Sequence, residues 1–100
     1  MKEKIKVTDE QIKAWKEQHK DVFLITVDGK ECYLRRPTRR ELSYAATAGK
    51  TDPMKFNEVI LNQCWLAGDE EIKTDDSLFM GVSTKIAELV EIKEAELKKL

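Results

Sequence analysis

The feature that most constrains this chain is the dipeptide Asp28-Gly29, set between Val22-Phe23-Leu24-Ile25-Thr26-Val27 and Lys30-Glu31-Cys32-Tyr33-Leu34-Arg35. Two β-branched and aromatic runs separated by Asp-Gly specify a hairpin closed by a two-residue type I′ turn. The turn fixes the register. Val27 falls opposite Lys30, Ile25 opposite Cys32 and Phe23 opposite Leu34, so one face gathers the larger apolar side chains. The other face carries Val22, Leu24, Thr26, Glu31, Tyr33 and Arg35, a half-apolar surface that needs a partial cover. Two strands alone are marginally stable in water, so a third strand, a helix or another subunit must complete the layer. The third-strand candidates within the chain are Lys4-Ile5-Lys6-Val7 and Glu71-Ile72-Lys73-Thr74. If neither pairs, the hairpin edge is open to strand addition.

Helices surround this hairpin. Thr8-Asp9-Glu10-Gln11 is a capping box that starts a first helix over residues 8–20, with Ile12, Trp15 and the flank of His19 as its only anchors. Pro37 ends the second strand, and Thr38 with Glu41 forms another capping box, so a second helix begins at about Arg39. Leu42, Ala45 and Ala46 make its inner face, and Gly49 is placed as a left-handed C-cap. Asp52-Pro53 reads as N-cap plus N1 proline for a third helix from Met54 through Leu66, stopping at Gly68. Leu61 and Trp65 project nearly opposite its Phe56-Val59-Ile60 face, as expected for a helix buried centrally or partly by another chain. A last amphipathic helix runs from about Ser77 to Lys98, with Asp75 or Asp76 at its positive end. The expected architecture is α+β: a β-hairpin, with room for a third short strand, packed with about four helices. With 100 residues, it forms one domain over 1–100, with the N-terminal helix at 8–20, the hairpin at 22–35 and the helical part at 39–98.

Composition narrows function. Charged residues make up 37% of the chain, yet the net charge is −1, which argues against a polyanion binder held by bulk electrostatics. Cys32 and Cys64 lie in apolar segments without metal-ligand spacing and read as buried reduced thiols of a cytosolic protein. No apolar run approaches the length of a membrane span, and no apolar stretch follows the charged start Met1-Lys2-Glu3-Lys4. His19 has no cysteine or carboxylate placed to complete a metal set. Five carboxylates lie between Asp69 and Asp76, but their spacing does not fit a calcium loop. Without a phosphate loop, a nucleophile elbow or a Cys-x-x-Cys pair, no catalytic residue, cofactor or metal is expected, and the chain reads as non-enzymatic.

What remains is the cluster Arg35, Arg36, Arg39 and Arg40. Arg39 and Arg40 sit on the first turn of a helix, where positive charge opposes the dipole at a cost of about 0.3–1 kcal/mol. Three uses stay open: internal pairing with the 69–76 acidic run or a solvated rim, contact with a protein partner, and nucleic-acid binding.

The order of elements carries a resemblance. A D-G hairpin, the strand exit Tyr33-Leu34-Arg35-Arg36-Pro37-Thr38-Arg39-Arg40-Glu41, an alanine-containing helix, the helix from Phe56 to Trp65, the Gly68-Asp69 turn and the Thr74-Asp75-Asp76 helix start together resemble small tail assembly chaperones of long-tailed phages and prophages. The likeness spans roughly residues 20–92 and leaves the helix at 8–20 outside the pattern. It implies a non-enzymatic, cytoplasmic protein of the bacterial host cell that coats a long helical tape-measure protein until tail-tube polymerisation displaces it. It further implies a longer form made by translational frameshifting in some members, with homo-oligomers as a possible state. Candidate contact residues are Arg35, Arg36, Arg39, Arg40, Leu61, Trp65, Trp15 and Tyr33. The rival readings are a structural or adaptor protein of a phage particle and a small nucleic-acid-binding accessory protein using Arg35–Arg40.

Overall fold

A computed structural model describes residues 7–90 and 92–100. The hairpin forms as its turn dictates: β1 (Val22–Val27) and β2 (Lys30–Arg35) pair antiparallel with Val27 opposite Lys30, Ile25 opposite Cys32 and Phe23 opposite Leu34. Asp28 and Gly29 both take positive φ, 46° and 74°, as a type I′ turn requires. A third strand joins the sheet, which makes the fold α+β, and it is not the expected Glu71–Thr74 candidate. Residues 4–6 of the first candidate lie outside the described residues, and Glu71–Thr74 is a short helix, α4.

The third strand is β3 (Trp65–Gly68), antiparallel to β2 in the order β1-β2-β3. The helix expected from Met54 through Leu66 is therefore shorter. As α3 it runs from Pro53 to Cys64, and Trp65 turns extended at φ −64° and ψ 124°. Strand pairing overrides helical periodicity here because Gly68 lets the backbones meet. A Cβ at Gly68, where φ is 152°, would lie 2.6 Å from both the Cα of Cys32 and the carbonyl oxygen of Glu31. A bulge between Tyr33 and Leu34 absorbs the register change, with Leu34 opposite Trp65 and Tyr33 opposite Ala67.

α1 (Asp9–His19) and α2 (Arg39–Ala48) start at Thr8 and Thr38, and both capping boxes are complete. Each is worth about 1 kcal/mol of helix stability. α1 lies on the outer face of the sheet through Trp15, whose ring is 5.8 Å from that of Tyr33. None of its residues is buried. In α2, Ala45 is buried and Leu42 half-buried, whereas Ala46, expected inside, is exposed. Gly49 is not a left-handed cap, since its φ is −80°. It serves close packing: a Cβ there would sit 3.0 Å from the Cβ of Phe56, so its absence lets α2 and α3 approach.

The last helix is the second large departure. α5 runs from Asp76 to Ile86, capped by Asp75, and a 3-10 turn over Ala87–Leu89 ends it. The helical part thus stops well short of residue 98, and residues 92–100 are exposed and irregular. The Leu89 carbonyl, which a continuing helix would offer to the Lys93 N–H, accepts from Arg36 Nη1 at 3.0 Å. Apolar burial also ends at Leu89, so a longer helix would gain no core contact. One cluster of buried side chains joins sheet and helices: Ile25, Cys32 and Leu34 from the hairpin, Ile60, Leu61 and Cys64 from α3, and Ile72, Val82, Ile86 and Leu89 beyond.

Candidate functional site

The strand exit sends its arginines to different fates. Arg35, at the end of β2, reaches across to the first turn of α2 and grips Glu41 with both ends of its fork: Nη1 to Oε1 at 2.8 Å and Nη2 to Oε2 at 2.7 Å. Nη2 also donates to the Gln63 carbonyl at 2.8 Å, near the end of α3. Bidentate guanidinium–carboxylate pairs are among the stronger charge-assisted contacts. Glu41 also accepts from the Thr38 N–H at 2.9 Å, so one carboxylate closes the capping box and holds the arginine. The Arg35 hydrogen bonds pull the Glu41 carboxyl down to about 2.

Arg36 leaves the strand on the other side. Its Nε donates to Asp21 Oδ2 at 2.7 Å, and its guanidinium lies 4.8 Å from the centre of the Phe23 ring. The hydrogen bond from Arg36 holds the Asp21 carboxyl below its ordinary range. Internal pairing is therefore real for these two arginines, but its acceptors are Glu41 and Asp21, not the 69–76 run. That run is occupied elsewhere. Asp69 Oδ2 accepts from the Glu31 N–H at 2.8 Å, Glu71 pairs with Lys30 at 3.5 Å and Glu70 with Lys73 at 3.4 Å. Asp75 accepts from the Leu78 N–H and the Ser77 hydroxyl, which holds its carboxyl below the ordinary range. Strand β2 separates the two regions: Arg35 lies at its exit and Lys30 at its entry, about 17 Å apart at strand rise.

Arg39 and Arg40 are exposed on the first turn of α2, and neither has an ion-pair partner among the described residues. With Ser43, Tyr44 and Thr47 they line a shallow depression, and Arg40 and Tyr44 border a second one against Gln63. Tyr44 is 63% exposed. Sequence reasoning missed it, although its signal was present: it stands four residues after Arg40, on the same helical face. Arginine and tyrosine are the residue types most enriched where protein interfaces hold their energy.

The apolar contact residues expected from the sequence do not join this patch. Leu61, a candidate contact residue from the sequence, is 1% exposed and belongs to the core, so the folded chain does not present it to a partner. Trp65 leaves the helix altogether, packs half-buried against the core from β3 and carries the Lys73 ammonium 4.2 Å from its ring centre. The helix ends before Trp65, so the two side chains share no helical face. Trp15 and Tyr33 are half-buried against each other on the outer face of the sheet.

Among the described residues, no group of three or more histidine, cysteine or carboxylate side chains could hold a metal ion. Cys32 and Cys64 are free and fully buried, and burial pushes their thiols up to about 12 and about 11. No helix among the described residues is long and apolar enough to cross a membrane. Compared with protein-family models, with curated proteins and with solved structures, the chain matches none.

Proposed function

We propose that this protein is a non-enzymatic, tail-assembly-chaperone-like protein of the bacterial cytoplasm that holds a long helical, tape-measure-like client through protein–protein contacts. The observation that carries the reading is the division of labour among the arginines. Arg35 and Arg36 are spent on internal joints, whereas Arg39, Arg40 and Tyr44 stand together on an exposed helix face. A guanidinium pair beside an exposed phenol is suited to the mixed polar and apolar side of a client helix. A chaperone that must later be displaced works through many weak contacts repeated along its client, and a shallow patch of this kind supplies such contacts.

The test is co-expression with a fragment of a very long, helix-rich, tape-measure-like protein, taken from a neighbouring gene where one encodes it. The fragment should stay soluble with the wild-type chain and aggregate with the R39E/R40E/Y44A variant. A fragment that is equally insoluble with and without the wild-type chain refutes the reading. The two exposed guanidinia also favour a second reading, nucleic-acid binding, which predicts retention that falls steeply with salt. The net charge of −1 weighs against it. A structural or adaptor role in the phage particle predicts that the chain persists in mature tails, where a chaperone is absent.

A further inference from the structure

With β2 in the middle of the sheet, β1 is left as one of its edges. Register assigns its free groups. In the hairpin, Phe23, Ile25 and Val27 face Leu34, Cys32 and Lys30 as hydrogen-bonded pairs, so Val22, Leu24 and Thr26 turn their N–H and C=O groups away from β2. No backbone bond from any other described element reaches those three residues.

Exposed edges in natural proteins are usually blunted by charge, proline, a bulge or shortness. The β3 edge is blunted: it is four residues long, bulged against β2 and ends in Gly68. The β1 edge is not. Its six residues include no charge and no proline, its pairing with β2 is regular, and Leu24 is 53% exposed. Beside it runs a groove whose one wall is Phe23–Thr26 and whose other wall is Lys85, Glu88 and Leu89 at the end of α5.

We infer that this edge pairs with the β1 edge of a second copy, antiparallel about a two-fold axis perpendicular to the sheet at Leu24, to make one six-stranded sheet. Self-complementarity selects this occupant. The register on Leu24 sets Leu24 against its own counterpart, Phe23 against Ile25 and Val22 against Thr26, with no charge opposing a like charge. Lys85 and Glu88, an exposed pair within one chain at 3.5 Å, line the groove beside this edge, so each copy brings one positive and one negative side chain to the seam and neither sign accumulates there. A net charge of −1 sets little repulsion against association. This inference does not depend on the client reading, and its test involves no client.

The experiment measures mass in solution by sedimentation equilibrium over a concentration series, on the full chain. The wild-type chain is expected to move from monomer to dimer, and L24K or T26K, each placing a charge on an exposed edge position, should weaken dimerisation at least about tenfold with an unchanged circular dichroism spectrum. A second variant reads the register. L24C should form an intermolecular disulfide under mild oxidation, because residues directly opposed in a hydrogen-bonded pair lie about 5.5 Å apart at Cα, within disulfide reach. S43C on the outer face of α2 should not. The native cysteines are buried and do not interfere. A wild-type chain that stays monomeric throughout overturns the inference, including the case in which it captures an extended peptide instead. So does a dimer that L24K leaves intact, or an L24C variant that cross-links no faster than S43C.

Discussion

Gly81 stands in the middle of α5, where alanine would ordinarily stabilise a helix by about 0.8–1.0 kcal/mol. Here the helix packs on β1, and a Cβ at position 81 would lie 2.8 Å from Cγ2 of Val27. Ordinary carbon contacts are about 3.5–4.0 Å, so helix and strand must part by roughly 0.7 Å or more, or Val27 must leave its rotamer. Overpacking of this kind costs about 1–3 kcal/mol. The two terms oppose each other and the steric one wins, so Gly81→Ala should destabilise by about 1 kcal/mol, lowering Tm by roughly 4–8 °C. Val27→Ala removes the obstructing methyl and by itself costs about 1 kcal/mol. In that background the remaining Val27 Cβ is 4.0 Å away, and Gly81→Ala should then stabilise by nearly its full helix propensity. The sign of one substitution therefore reverses with the other, giving a coupling of about 2 kcal/mol. Urea unfolding of the four proteins of the cycle measures it. If Gly81→Ala stabilises the wild-type background, or if the coupling is under about 0.5 kcal/mol, close packing does not explain this glycine.

Three further outcomes follow from the same contacts. Glu41 has a folded-state pKa of about 2 against an ordinary 4.5, so its ion pair contributes stability in full above pH 4.5 that is lost as pH falls toward 2. Glu41→Gln should flatten urea midpoints across that window, and unchanged pH dependence in that variant would contradict the assignment to this ion pair. Gly68→Ala should cost about 3 kcal/mol or more by driving β3 off β2, while Gly29→Ala, with open space around the Cβ, should cost only the left-handed backbone penalty of about 1–2 kcal/mol; equal thermal shifts would contradict the packing role. Cys32 and Cys64, buried and with thiols pushed up to about 12 and about 11, should resist alkylation at neutral pH until the chain unfolds, and rapid labelling of native protein would contradict their burial.

Local chemistry made much of this fold legible. The Asp28-Gly29 turn fixed the hairpin register, and the Thr8, Thr38 and Asp52 caps fixed three helix starts, because each acts over four residues or fewer. Long-range competition was hidden. Trp65 follows an unbroken helical pattern, and only the meeting of Gly68 with the Cys32 backbone makes it a strand residue. Residues 90–98 keep an amphipathic period, but the core runs out at Leu89 and Arg36 takes its carbonyl. For the site, the arginine cluster was visible as composition. Its partition into two spent and two exposed side chains was not, because the pairing of Arg35 with Glu41 and of Arg36 with Asp21 depends on how strand, loop and helix meet. The signal of Tyr44, four residues after Arg40 on one helical face, gained its meaning only once α2 had an outside face.

The Arg35 joint also bears on motion. One guanidinium ties the end of β2, the start of α2 and the last turn of α3, so these three elements can tilt only as a block. α1 buries none of its residues and meets the sheet through the contact of Trp15 with Tyr33. A partner seating on Arg39 and Arg40 would therefore meet a preformed plate that pays little ordering entropy.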